Sequence, residues 1–375
     1  MSDTPRWMIY GANGYTGRLC AEHAVARGDR PVLAGRNESA VRPLAEALGF
    51  SWRVFSLDDP AGVRAGIDGM AAVLHTAGPF SATSRPMVDA CLDSGAHYLD
   101  ITGEIAVFEA LFARHDEACS AGIAVVPGVG FDVVPTDCMA ALLHRWMPTA
   151  TALDLAFFGL GSLSAGTARS MVESLGTGGL VRRAGALTSV PSGWKTREVP
   201  FPSGPRRCTT IPWGDVSTAF HSTAIPDIAV YTHVPDGARR AMPVLDRLRP
   251  ALQAGVVQRG LKWVVNRTVR GPDAELRQKA FSDVWGEVRN ASGDVLRGAV
   301  TVGEGYAFTA VAAVAAVRRL LEMSEPCTGA LTPSRAFGAE FVLELPDVKL
   351  HPFELNGERV TTAELEAFRG EPAMQ

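Results

Sequence analysis

The sequence predicts an α/β protein, an N-terminal doubly wound parallel sheet joined to a second, α+β domain. Three observations predict it. Short apolar runs alternate with amphipathic stretches of helical length through the first half of the chain. The first run passes directly into a glycine-rich turn and a helix. Beyond Pro148 the texture changes to longer, strand-rich stretches. At 375 residues, 47% hydrophobic and 20% charged, the chain is long enough to bury two cores.

In chain order, strands are expected at 7–10, 31–34, 52–55, 72–75, 97–99 and 123–126, each a short apolar run bounded by turn residues. Helices are expected between them at 15–27, 38–48, 82–94 and 106–120. Strands that alternate with helices argue for one parallel sheet, so the first domain is placed at 1–148. There follow a Gly-rich segment from Gly159 to Gly185, a Pro-rich passage from Pro191 to Pro212, and a hairpin over 284–305 whose turn is Asn290-Ala-Ser-Gly-Asp294. These mark an α+β substrate or dimerisation domain over 149–306. The Ala/Val helix at 307–322 and the segment 331–345 are expected to return to the first domain, and 360–375, rich in Glu and Thr, to form a loosely held tail.

Composition narrows the function. A net charge of -4 gives no general basic field for a polyphosphate backbone, so nucleic acid is not an expected partner. The six cysteines are scattered singly and the eight histidines lack ligand spacing, so neither disulfides nor a metal site are expected. No apolar leader follows the basic start, and no window approaches the ~20 apolar residues of a membrane span. A soluble, cytoplasmic protein is the expectation.

The chemistry begins at Trp7-Met-Ile-Tyr10, followed by Gly11-Ala12-Asn13-Gly14-Tyr15-Thr16-Gly17 and an amphipathic helix. Glycine is required where the chain turns tightly, where backbone approaches a pyrophosphate, and where helix and strand pack closely; the helix N-terminus then offers N–H groups and a positive dipole end. This strand, turn and helix form a Rossmann-type dinucleotide fingerprint. The second strand ends in Gly35-Arg36-Asn37, with no acid at its tip to bond a ribose 2′-hydroxyl. A guanidinium there suits a 2′-phosphate, so the cofactor is expected to be NADP(H), held by the glycine turn with Arg36 and Asn37. Asp58 is expected either to bond the adenine amino group or to cap the next helix. Thr76, Ala77, Gly78 and Pro79 end the fourth strand and are expected to contact ribose and nicotinamide.

These features resemble the saccharopine dehydrogenase-like family and its enoyl reductase branch. The resemblance is carried by 11–17, Ala34-Gly-Arg36, Thr76-Ala-Gly-Pro-Phe80, Tyr98-Leu-Asp-Ile-Thr-Gly-Glu104, Pro127-Gly-Val-Gly-Phe-Asp-Val-Val-Pro-Thr-Asp137, Ser164-Ala-Gly-Thr-Ala-Arg-Ser170 and Leu331-Thr-Pro-Ser-Arg-Ala-Phe-Gly338. It implies NAD(P)-dependent chemistry on C–N, C=N or C=C bonds. The chain has no Ser-His-Asp order, H-E-x-x-H, P-loop or Tyr-x-x-x-Lys pair, so no motif names the proton donor.

Ligands of an open α/β sheet lie outside the carboxyl ends of its strands, which makes Tyr98, Glu104 and Asp132 the catalytic candidates; the alternative for each carboxylate is to cap a helix or pin its loop. The segment Gly159–Gly185 reads either as a lid or as close packing. Between 248 and 270, Val256, Val257, Leu261, Val264 and Val265 alternate with Arg259, Lys262, Arg267 and Arg270, a pattern for resting on a membrane surface or a carrier protein, or for packing on the chain's own domain. The leading function is NADPH-dependent reduction of a C=C bond in an apolar, enoyl-type small molecule, by a chain that forms a homodimer. The alternatives are a C=N reductase or amino-acid-type dehydrogenase, and an inactive NADP(H)-binding sensor or scaffold.

Overall fold

The computed structural model describes residues 6–159, 178–268 and 280–370, and they fall into two compact units. Most of Gly159–Gly185, including Ser164–Ser170, and positions 269 and 270 lie outside the described residues.

The first unit runs through Val134 and adds Gly305–Phe337. Its strands β1 (Trp7–Tyr10), β2 (Val32–Gly35), β3 (Trp52–Val54), β4 (Ala72–His75), β5 (His97–Asp100) and β6 (Ala124–Val126) join the two-residue strand Gly329–Ala330 in one sheet. Every pairing is parallel, in the order 329–330, β6, β5, β4, β1, β2, β3. Met8, Ile9, Leu33, Val73 and Leu74 are fully buried, as the continuous apolar runs of a sheet covered on both faces demand. Crossovers are α1 (Tyr15–Arg27), α2 (Glu38–Leu48), α3 (Pro60–Ile67), α4 (Phe80–Ser94), α5 (Ile105–Phe112) and α6 (His115–Ser120). Strand order reverses about β1, so the ligand crevice of this fold opens beyond the carboxyl ends of β1 and β4.

Two elements differ from expectation. The single helix read at 106–120 is broken at Ala113-Arg114, where Arg114 reaches Asp89 at 2.6 Å and Glu117 at 2.7 Å. The helix after the third strand, α3, for which Asp58 was the candidate cap, is started instead by Asp59, whose carboxylate accepts from Ala61 N, with Pro60 in the first turn.

The second unit comprises 135–304 and 338–375. Its eleven-stranded sheet is mostly antiparallel, with Asp227–His233 parallel to Ala150–Gly159. The strands Phe281–Asn290 and Val295–Gly303 form the hairpin read from the sequence. One face packs on α7 (Val134–Trp146): a Cβ at Gly286 would lie 2.6 Å from Leu143, and one at Gly298 would lie 2.9 Å from Met139. That packing explains why the units divide at 134 rather than 148. On the opposite face Arg197 reaches both Asp154 and Glu287, and Arg297 also reaches Glu287, over a core containing Val199, Phe201, Tyr231 and Trp285. Segment 338–345, expected with the first domain, belongs here. The expected loose tail carries regular structure as far as 370: Phe353–Leu355 and Glu358–Val360 extend the sheet, and Thr362–Gly370 is a helix that buries Leu365. Among the described residues no helix is long and apolar enough to cross a membrane.

Candidate cofactor and reaction site

Beyond β1 the chain turns at Gly11, whose φ of +87° disfavours any side chain; a Cβ there would also lie 2.8 Å from the Ala77 backbone nitrogen. A Cβ at Gly17 would sit 2.3 Å from the Gly11 carbonyl oxygen and 2.7 Å from Thr76 Oγ1. Glycine thus lets α1 close on the sheet at one point and the turn close on the β4 loop at the other. Gly14 caps α1 in extended conformation without a side-chain bond to its first turn. An uncapped helix N-terminus beside a glycine turn is a cradle for an anion, so these residues fit a dinucleotide pyrophosphate.

Arg36 is exposed one residue past β2. The Tyr10 hydroxyl donates to the Phe55 carbonyl at 3.0 Å and is pushed up to about 12, first by burial, with Arg36 pulling it down and Asp58 pulling it up. Arg36 and Asp58 therefore share the neighbourhood of the carboxyl ends of β1 to β3. Asn37, expected at the cofactor, caps α2: its Oδ1 accepts from Ser39 N at 3.1 Å and Ser39 Oγ at 2.8 Å. Asp58 does not cap the next helix, because Asp59 does; the Asp58 carboxylate accepts from Ser56 Oγ at 3.1 Å.

The loop after β4 is fastened from three sides. Thr76 donates from both N and Oγ1 to the Tyr10 carbonyl, at 2.8 and 2.9 Å. Thr83 Oγ1 donates to the carbonyls of Ala77 and Pro79 at 2.7 and 2.9 Å. Glu104 accepts from Phe80 N at 3.0 Å and Ser81 N at 2.8 Å, capping α4 where the dipole favours a carboxylate. The carboxylate offered as a catalytic candidate is thus engaged in holding residues 78–81.

Tyr98 is fully buried and its hydroxyl donates to Asp100 Oδ2 at 2.8 Å, which raises its pKa well above the usual phenol through burial and then through the adjacent carboxylate. The hydroxyl is thus buried and engaged with Asp100. Asp100 is the hub between two loops. Its Oδ1 accepts from Thr102 N and Gly128 N, both at 2.9 Å, and its carbonyl accepts from Val129 N at 2.8 Å, tying the β5 loop to the β6 loop. Burial nevertheless outweighs these bonds and lifts its carboxyl to about 6.

Asp132 lies in the same place: a Cβ at Gly103 would be 2.9 Å from its Oδ2. It is half-buried, and burial raises its carboxyl from 3.8 to about 6. A raised pKa means the folded chain holds this proton more tightly than the unfolded one. The associated stability is complete below the ordinary value and is lost as pH rises through about 6. Asp132→Asn is therefore expected to flatten the fall in unfolding free energy between about pH 4 and pH 7, measured by denaturant titration against the parent chain. An unchanged slope would mean that its proton affinity is the same in both states.

The helix Gly305–Glu322 supports this edge from within the same unit. Thr309 Oγ1 accepts from Phe131 N at 3.0 Å, and Tyr306 sets its ring edgewise on Tyr15 with centroids 5.1 Å apart. Neither was identified from sequence, since each contact joins residues more than 170 positions apart. His75 is enclosed by Tyr10, Phe80 and Tyr98, with no hydrogen-bond partner for either ring nitrogen among the described residues; burial alone lowers it to about 3, so it stays neutral. His97 is half-buried, and its Nδ1 accepts from Ala124 N at 2.9 Å. Among the described residues no cluster has the makings of a metal site.

Comparison with known proteins agrees with this geometry. Residues 7–126 match the family described as Saccharopine dehydrogenase NADP binding domain. A Mycobacterium tuberculosis protein, provisionally named a trans-acting enoyl reductase, is 35% identical over 196 residues, which span 47% of this chain and 46% of that one. A Mycobacterium leprae protein named trans-acting enoyl reductase is 32% identical over 146 residues, 37% of this chain and 35% of its own length. The match thus spans less than half the length of these relatives. In fold, the chain is similar to apo saccharopine dehydrogenase (L-Glu forming) from Saccharomyces cerevisiae, with a TM-score of 0.61, 12% identity, and coverage of 92% of this chain and 100% of that one. Residues 7–126 are accordingly a domain of the saccharopine dehydrogenase NADP-binding type.

Proposed function

We propose that the chain is an NADPH-dependent reductase that delivers hydride to an activated C=C bond of an apolar, acyl-type substrate. The observation that carries this reading is an NADP-type domain in a chain whose relatives are named trans-acting enoyl reductases. Bound NADPH supplies the hydride. The turn Gly11–Gly17 and the start of α1 hold the pyrophosphate, Arg36 the 2′-phosphate, and Ala77–Pro79 flank the nicotinamide, kept in place by Glu104. Asp132 is the carboxyl group positioned to hand over or orient a proton, because its pKa of about 6 keeps part of it protonated near neutral pH.

The setting proposed is cytoplasmic, in line with six singly spaced cysteines. The test follows NADPH oxidation with matched enoyl-thioester and imine substrates. Oxidation with the enoyl-thioester is expected. Turnover of the imine alone, or NADPH binding with no turnover of either, would overturn the proposal.

A further inference from the structure

The helices between 236 and 268 turn their apolar side chains outward. Among the described residues, six of the nine large hydrophobics left exposed fall here: Val244, Leu248, Val256, Val257, Trp263 and Val264. On the helix Gly255–Thr268, positions 256, 257, 263 and 264 share one face by the 3.6-residue repeat, and they are 72%, 38%, 57% and 47% exposed. The opposite side carries Gln258 and Leu261, both half-buried, with the Gln258 amide donating to the Leu252 carbonyl at 2.8 Å. Such a helix shows solvent the face that a globular protein normally hides.

Its charge is equally uneven. Residues 236–268 contain seven basic and two acidic side chains, within a chain of net charge -4. Both acids are engaged: Asp236 pairs with Arg239 at 2.9 Å, and Asp246 accepts from Ser192 N and Oγ at 2.8 and 2.5 Å. Arg267 sets its guanidinium 4.3 Å from the Trp263 ring centre, beside the apolar face.

We propose that this face docks on an anionic lipid surface, with Val256, Trp263 and Val264 entering the headgroup boundary and Arg259 and Arg267 meeting lipid phosphates. Valine and tryptophan presented on one stripe and flanked by arginine suit the interface plane of a bilayer. A second copy of the chain is the poorer occupant, since a two-fold contact would bring this basic patch against itself. The inference is independent of the reductase reading.

The test sediments the full chain with vesicles of phosphatidylcholine alone and of phosphatidylcholine doped with phosphatidylglycerol. Binding to the doped vesicles, weakened by salt, is expected. The double variant Arg259→Gln/Arg267→Gln should bind about thirtyfold more weakly, and Val256→Glu/Trp263→Glu should lose binding while keeping the parent unfolding midpoint and NADPH affinity. No binding, equal binding to both vesicles, or retention by the Val256→Glu/Trp263→Glu variant would overturn the proposal. So would a parent dimer that this variant dissociates, or retention on an acidic acyl carrier protein without retention on vesicles.

Discussion

Arg36→Asp is expected to weaken NADPH binding about a hundredfold or more and to leave NADH binding the tighter of the two. Arg36 is exposed directly after β2, at the tip where an NAD-type site places an acid, and the strand ends without one. A hydrogen bond to a charged group is worth about 1.5–3 kcal/mol, or roughly ten- to a hundredfold, and the introduced carboxylate adds repulsion toward a 2′-phosphate. Arg36→Ala separates the two contributions, losing the attraction alone, so NADPH should weaken about ten- to a hundredfold with NADH unaffected. Titration by quenching of intrinsic fluorescence measures both. Equal affinities of the parent chain for the two cofactors would remove Arg36 as the discriminating group.

Asp100→Ala is expected to cost about 3–6 kcal/mol of unfolding free energy, a large share of the roughly 5–15 kcal/mol available to a folded domain. Three donors converge on this buried carboxylate: the Tyr98 hydroxyl and the amides of Thr102 and Gly128. Truncation leaves all three in the interior, each at a cost of about 1–3 kcal/mol, with some relief from relaxation. Tyr98→Phe removes one donor together with its bond and should cost only about 1–2 kcal/mol. Denaturant titration decides: an Asp100→Ala chain of parent stability that no longer turns over would make Asp100 a reacting group instead of the tie between two loops.

What could be read in the sequence was local. Trp7–Tyr10 and Gly11–Gly17 are legible because strand, turn and helix follow within a score of residues, and every glycine sits where backbone must pass close. Arg36 is legible for the same reason, as the residue at a strand tip. For Glu104 the sequence offers helix capping as one of two roles but not which helix, because its partners, Phe80 and Ser81, precede it by 24 and 23 positions and meet it only once β4 and β5 pair. The break at Ala113-Arg114 has no glycine or proline to announce it; it follows from the pull of Asp89 on another helix. For α3 the start signal lies in Asp59-Pro60, an N-cap followed by a first-turn proline, but two glycines within the helix left its bounds unread and its cap one residue early, at Asp58. The allegiance of α7 depends on Gly286 and Gly298, more than 130 residues away, whose missing side chains admit Met139 and Leu143.

The contact between Gly11 and Ala77 has a thermodynamic meaning for any dinucleotide that lands there. Two loops from different strands already approach so closely that no side chain fits between them at Gly11, and Thr76 secures one to the carbonyl that ends β1. The floor of the crevice is preorganised. Association then spends little conformational entropy on shaping it, so the binding free energy reflects the ligand's own contacts and not the ordering of the protein.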